Sequence, residues 1–318
     1  MAPNTESLSP ASGLRAYVRL ARPDHWFKNV FMLPGTALAL VFDSVNYSDA
    51  LTATILALVA LCLAASANYV INEWLDAETD QFHPVKKDRP AVSGVLAPGL
   101  VYGEYLVLAA ASLMTASLIN QTLLAAIAIF LFMGLTYNVR PLRAKDRVYL
   151  DVLTESVNNP LRLIVGWSAL VASAMPPSSI LLSYWMGGAF LMAVKRYAEY
   201  RMIGDPARAA AYRASFRDYT EERLLVSAFF YALCSAFFLG IFLIKYRIEF
   251  LLTFPLFALL FAWYLAISLR KRSVVQTPEK LYREKRFLVF VALLVLAVAL
   301  LFFIDIPALQ LFVDPVNF

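Results

Sequence analysis

Charge is scarce in this 318-residue chain: Asp, Glu, Lys and Arg make up only 16% of it, against 60% hydrophobic residues. A water-soluble domain of this size carries more charge than that. With a mean hydropathy of +0.64, the balance excludes an ordinary globular enzyme in water and makes lipid the solvent. Cysteine is nearly absent. Cys62 and Cys234 each lie inside an apolar run without a partner at redox or metal-ligand spacing, so a disulfide framework is excluded and small buried hydrophobes remain. No basic, aromatic-studded stripe is present, so the net charge of +5 does not signal nucleic acid. The first fourteen residues, MAPNTESLSPASGL, have neither a basic n-region nor an apolar core. They are expected to form a disordered tail rather than a secretory signal, ahead of a single membrane domain over 15–318.

What the chain does have is apolar runs, at roughly 27–43, 50–72, 100–118, 121–138, 151–172, 178–196, 223–244, 248–269 and 287–304. They predict an all-α integral membrane protein of about nine transmembrane helices. Lys and Arg alternate between the connecting segments. Arg15, Arg19 and Arg22 precede the first run; Lys86, Lys87 and Arg89 follow the second; Arg140, Arg143, Lys145 and Arg147 follow the fourth; the segments between these have none. The positive-inside rule then puts the N-terminus and the basic loops in the cytoplasm and the C-terminus outside, in an inner (cytoplasmic) membrane. The apolar outer surface would meet membrane lipids, and composition does not separate lipid contacts from those of a homo-oligomer.

The most informative stretch is Asn68-Tyr-Val-Ile-Asn72-Glu73-Trp-Leu-Asp76-Ala-Glu-Thr-Asp80, followed by His83, Pro84, Lys86, Lys87, Arg89 and Pro90. If the second span continues as a helix to about residue 80, then Asn68, Asn72, Asp76 and Asp80 stack on one face. Carboxylates at i and i+4 repel, so the pattern implies a compensating cation. A hard divalent ion such as Mg2+, held by one or two carboxylates and shared with a diphosphate, is the natural one. Lys86, Lys87 and Arg89 supply charge for phosphate oxygens. His83 has no second histidine near it and reads as a loop hydrogen-bonding residue. The competing account is a solvated helix end beside a basic loop, which would avoid carboxylates at the negative end of the helix dipole.

This pattern resembles the NDxxDxxxD motif of the UbiA superfamily of intramembrane prenyltransferases, and the run through His83, Pro84, Lys86, Arg89 and Pro90 is most similar to its decaprenyl-phosphate phosphoribosyltransferase branch. The resemblance extends to Arg22-Pro23, to Trp26-Phe27-Lys28-Asn29 and to Lys195-Arg196-Tyr197-Ala198-Glu199. It implies a UbiA-type bundle with a cytoplasm-facing central cavity and Mg2+ as cofactor. Asn72, Glu73, Asp76 and Asp80 would be the metal set. Glu73 departs from the family's usual Asp, although a longer side chain there can still reach a metal.

Two more polar clusters stand out. Asp151, Glu155, Asn158, Asn159 and Arg162 fall at helical spacing, and ionisable groups at membrane depth normally face a bundle interior or a wet cavity. With Tyr137 they are expected to line a substrate cavity; a structural Glu155–Arg162 ion pair is the alternative. The second cluster holds Lys195, Arg196, Tyr197 and Glu199, where typical members of the resembled family carry a second aspartate-rich motif. A basic-aromatic pair with one Glu suits a phosphate and sugar hydroxyls better than a second metal site. Lys195 reads equally as a positive-inside anchor.

The expected activity is Mg2+-dependent transfer of a phosphoribosyl group from 5-phosphoribosyl diphosphate, a phosphorylated sugar donor, to a polyprenyl phosphate. In it Asn72, Asp76 and Asp80 hold metal and diphosphate, and Lys86, Lys87 and Arg89 neutralise the leaving group. Lys28, Arg196 and Tyr197 would grip a phosphate, and Glu199 the ribose. The alternative is a prenyltransferase using an isoprenyl diphosphate lipid. A secondary transporter fits less well, because the chain lacks an inverted repeat and paired Gly/Pro-broken helices.

Overall fold

The computed structural model describes residues 10–42, 47–93, 96–270, 273–276, 281 and 283–312. Among them there are helices and no strand. A backbone in lipid has no water to bond to, and a helix satisfies its N–H and C=O groups within one segment. In chain order the helices are α1 (Pro10–Ala21), α2 (Leu33–Phe42), α3 (Tyr47–Leu75), α4 (Ala77–Asp80), α5 (Pro98–Ser117), α6 (Gln121–Asn138), α7 (Leu150–Ser156) and α8 (Asn158–Ser168). They continue with α9 (Ser178–Ile203), α10 (Pro206–Tyr212), α11 (Glu221–Tyr246), α12 (Phe254–Ser268) and α13 (Lys285–Leu301). Residues 1–9 of the expected tail lie outside the described residues, and α1 begins at Pro10.

Among the described residues, five stretches are long and apolar enough to cross a membrane: Asp49–Leu75, Pro98–Ser117, Gln121–Asn138, Glu221–Tyr246 and Ile248–Ser268. The other expected spans take different forms. The run at 27–43 is divided between a 3-10 stretch, Pro23–Met32, and α2. That at 151–172 is divided between α7 and α8 at Val157, where Pro160 has no N–H to offer the preceding turn. The run at 178–196 continues to Ile203 as α9, and the last corresponds to the 17-residue α13.

The chain forms two compact units, one of residues 1–175 and 205–218, the other of 176–204 and 219–318. In the first, α3 is built for close approach. Ala57, Ala60, Ala64 and Ala67 are fully buried on it against Leu123, Ala126, Ile127 and Phe130 of α6 and Leu161 and Val165 of α8. Small residues let helix backbones meet where lipid offers no hydrophobic drive. A close crossing lies between α2 and α8: a Cβ on Gly35 would run into the Leu163 carbonyl, and one on Gly166 into the Met32 carbonyl. Thr36 Oγ1 donates to the Gly166 carbonyl at 3.1 Å. Asn120, in the brief turn before α6, caps it by accepting from Leu123 N–H at 2.8 Å and donates to the Ser168 carbonyl at 2.7 Å.

In the second unit α9 lies along α11, joined by reciprocal bonds: Ser183 Oγ donates to the Ser235 carbonyl (3.1 Å) and Ser235 Oγ to the Ser183 carbonyl (2.9 Å). Arg247, just after α11, donates to the Leu301 and Ile304 carbonyls and to Asp305 at 2.8–2.9 Å.

Gly166→Ala should lower stability by about 1–3 kcal/mol, the usual cost of overpacking a tight contact. Gly103→Ala, inside α5 where nothing lies within 4 Å of the added methyl, should leave stability unchanged or raise it by up to about 1 kcal/mol. Denaturant unfolding of the purified protein checks both.

Candidate active site

Helix α3 carries Asn68, Asn72 and Glu73 toward its end and stops at Leu75. Asp76 sits at φ −97°, ψ −3°, and α4 begins with Ala77. The continuous helix expected through residue 80 is therefore interrupted at Asp76. Backbone bonds from Asp76 N–H to the Asn72 carbonyl (3.0 Å) and from Asp80 N–H to the Asp76 carbonyl (2.8 Å) keep the path helical in outline. The acidic side chains are drawn into two clusters, each answered by cations from elsewhere in the first unit, which relieves the repulsion that a stacked row would suffer.

The first cluster centres on Asp76. Lys145 Nζ donates to Asp76 Oδ1, and Arg143 Nη2 donates to the same oxygen at 3.3 Å. Asn72 Nδ2 reaches Asp76 Oδ2 at 3.4 Å and Asn138 Oδ1 at 2.5 Å. Lys145 also donates to Asn138 Oδ1 at 2.9 Å, and Asn138 Nδ2 returns to the Gly134 carbonyl at 2.8 Å. Asn138 at the end of α6 is thus the hub that ties Asn72 to Lys145. Burial pushes the Lys145 ammonium down to about 8, with Asp76 opposing the shift.

The second cluster runs through Arg89. Its Nη1 donates to Asp80 Oδ2 at 2.5 Å, while its Nε lies 3.8 Å from Glu73 Oε2. Arg22 Nε is 3.8 Å from the same Glu73 oxygen, and its guanidinium lies over the Tyr69 ring at 5.7 Å. Glu73 is 2% exposed, and its other oxygen, Oε1, is buried without a hydrogen-bond partner among the described residues. Burial opposes the charge on Arg89, yet Asp80 and Glu73 together hold its guanidinium above the ordinary value. Burial and the Arg89 charge push Arg22 below it. Arg22 (φ 51°) and Arg143 (φ 31°) both adopt the left-handed conformation that non-glycine residues avoid, and both address a carboxylate of this stretch. Gly134 on α6 leaves the room that Asn68 fills, since a Cβ there would overlap the Asn68 amide. Asn68 Nδ2 donates to the Phe130 carbonyl at 3.0 Å.

The other residues singled out by sequence fall around these clusters or in the second unit. Lys86 Nζ donates to the Tyr212 hydroxyl, and His83 Nδ1 accepts from the N–H groups of Val85 and Lys86 at 3.1 Å, as a loop residue would. Lys87 is exposed. Lys28 Nζ lies 2.9 Å from His25 Nδ1. Glu155 accepts from Tyr137 OH at 2.9 Å, and Arg213 donates to the same hydroxyl at 3.2 Å. Asp151, fully buried, accepts from Ser215 Oγ at 3.3 Å and lies 3.8 Å from Arg213. Arg162 donates to Asn29 Oδ1 (3.2 Å) and Asn159 Oδ1 (3.4 Å). In the second unit, Lys195 lies on α9; Arg196 and Glu199, both buried there, pair at 3.4 Å, and Arg201 donates to Tyr197 OH at 3.0 Å.

Sequence reading gave no role in the site to four residues: Arg22, which it named only in the family resemblance, Asn138, and Arg143 and Lys145, which it read as basic loop residues. All contact the motif. The motif carboxylates offer oxygen, the donor type that a hard divalent ion takes, whereas Asn72 presents its amide nitrogen to Asp76 and Asn138; an ammonium already lies between Asp76 and Asn138 oxygens. Among the described residues no three His, Cys, Asp or Glu side chains converge into a ready cage. Asp76 and Asp80 fit Mg2+ in donor chemistry, each engaged here in a separate cluster by its own basic partners.

A family model described as the UbiA prenyltransferase family matches residues 31–294. The decaprenyl-phosphate phosphoribosyltransferase of Mycobacterium tuberculosis (strain ATCC 25618 / H37Rv) is 33% identical over 218 residues, covering 68% of this chain and 69% of its own. The protein of that name from Mycolicibacterium smegmatis is 31% identical over 228 residues, covering 69% of each. A solved structure of a UbiA homolog from Archaeoglobus fulgidus bound to DMAPP and Mg2+ shares the fold, with a TM-score of 0.68 and 21% identity over 91% of this chain and 100% of that one.

Replacing Asn138 by Leu leaves the Asn72 amide and the Lys145 ammonium short of an acceptor. Stability should fall by about 1–3 kcal/mol, the cost of unsatisfied buried donors, measured by denaturant unfolding; an unchanged midpoint would contradict the hub role.

Proposed function

The chain belongs to the UbiA prenyltransferase family, and on that premise we propose that this transferase moves a phosphoribosyl group from 5-phosphoribosyl diphosphate onto a polyprenyl phosphate. The observation that carries the choice of donor is the cluster on α9. Where typical family members have a second aspartate-rich motif, this chain has Arg196 and Glu199 closed on one another in a buried pair, a poor place for a second metal. The names of the similar mycobacterial proteins support the same donor.

On this reading an oxygen of the acceptor phosphate forms a bond to the sugar C1 as the bond from C1 to the diphosphate oxygen breaks, and the diphosphate departs with that electron pair. Mg2+, when bound, would offset charge on the diphosphate. Asn72, Asp76 and Asp80 would hold it, and Glu73 belongs to the same proposed set. Arg89 and Lys86 would neutralise the charge that grows on the leaving group, and Lys87 would offer a further charge at the surface. The acceptor phosphate is already anionic near neutral pH, so no strong base is required. Positioning carries the rate, and Tyr137, Asp151, Glu155 and Arg162 would supply the polar wall that orients the substrate. Lys28 is proposed as a phosphate contact. Lys195, Arg196, Tyr197 and Glu199 are proposed as phosphate and sugar contacts of the second unit. The nine-span arrangement, with an N-terminus, basic loops and site in the cytoplasm of an inner membrane, is part of the same proposal.

The second reading, transfer of an isoprenyl group, draws on the DMAPP bound in the homologous structure. Purified protein supplied with polyprenyl phosphate and radiolabelled 5-phosphoribosyl diphosphate separates the two. Label should pass into organic-extractable lipid and the transfer should stop with EDTA; turnover of an isoprenyl diphosphate instead would establish the second reading. Asp76→Asn and Asp80→Asn should each lower transfer by at least about 100-fold in folded protein, the scale on which removal of one transition-state stabiliser acts, and full activity in both would overturn the assignment.

A further inference from the structure

We infer that Lys145 is a tethered competitor for the metal position, an internal cation whose displacement sets how tightly this chain holds a divalent ion. The inference rests on the reading of Asp76 as a metal ligand. Lys145 Nζ is held as an ion would be, by the carboxylate Oδ1 of Asp76 and the amide Oδ1 of Asn138, in a place where Lys145 is only 3% exposed. Asn72 donates its amide N–H to both of those residues, and the ammonium occupies Asp76 Oδ1, an oxygen that the proposed metal would also use.

A divalent ion and an ammonium on one carboxylate oxygen repel strongly where water is scarce. Loading the site therefore requires Lys145 to leave Asp76. The chain around it allows this. Lys145 lies in a three-residue 3-10 turn, Ala144–Asp146, between α6 and α7, so its side chain swings without unpacking a long helix. The turn is entered through Arg143 in the left-handed conformation, a local distortion that persists when surroundings hold it, here through the Arg143 bonds to Asp146 at 2.9 Å and Asp76 at 3.3 Å. In the metal-free protein Lys145 neutralises a carboxylate that would otherwise lie partly buried with Arg143 alone. That arrangement keeps the protein folded without metal and weakens metal binding by the work of moving the lysine.

The test is thermal unfolding of the purified full-length protein in lipid nanodiscs, in EDTA and then across a Mg2+ titration, with Mg2+ alone as the probe. Lys145→Gln should unfold at a lower temperature than wild type in EDTA. Mg2+ should restore it, with a half-saturating concentration about tenfold below that of wild type, within the usual range for coupled sites. An unchanged half-saturating concentration, while Asp76→Asn abolishes the Mg2+ stabilisation of the otherwise native protein, would overturn the role of Lys145 and leave the metal reading standing. If Mg2+ stabilises neither wild type nor variant, both fall. Should Lys145→Gln alone fail to fold, the double variant Asp76→Asn/Lys145→Gln decides: recovery of a folded protein supports charge neutralisation, and failure of both variants overturns it in favour of packing.

Discussion

A carboxylate at the end of an apolar helix persists only if a cation answers it, and the first unit is arranged around that constraint. The motif at the end of α3 brings Glu73, Asp76 and Asp80 within two turns. None shares its cation with all the others. Asp76 draws Lys145 and Arg143 from the segment between α6 and α7, whereas Asp80 and Glu73 share Arg89 from the loop that follows α4, and Glu73 takes Arg22 from the N-terminal side. Removing one member of such a pair leaves an uncompensated charge, which is costly in low dielectric. The ion pairs therefore tie three separate segments of the chain to one helix end.

This arrangement also suits the transfer. In the proposed reaction a metal-diphosphate donor would bring both signs of charge at once, and the basic partners that hold the carboxylates would lie beside its phosphate oxygens. On the proposed reading the same charges would serve a metal-free and a metal-bound state, exchanged by side-chain motion. The apolar alanine face of α3 against α6 and α8 supplies the rigid support that such an exchange requires.

Much of this was legible in the sequence, in a particular way. The motif, the basic loop after it and the helical class follow from local spacing and composition, which encode neighbours three or four residues apart. What escaped was everything set by long separations. The partners of Asp76 lie 67 and 69 residues away, and no periodicity announces that an Asn at the end of α6 will stand between them. The break at Asp76 escaped for the same reason: the spacing argument supposed a helix continuing to about residue 80, and the structure interrupts it at Asp76, with the carboxylates in two ion-paired clusters. At Val157 the sequence did carry a signal, since Pro160 removes one helix bond and α7 ends there. Hydropathy read the run at 27–43 as one span, although Pro23 and Pro34 bracket a 3-10 stretch that ends at Met32.

The most direct test of the account is a structure of the protein with Mg2+ and 5-phosphoribosyl diphosphate bound. The account predicts Mg2+ about 2.0–2.1 Å from oxygens of Asp76 or Asp80 and of the diphosphate, with the Lys145 ammonium withdrawn from Asp76. A metal and sugar diphosphate bound elsewhere, with the Asp76–Lys145 pair intact, would contradict it.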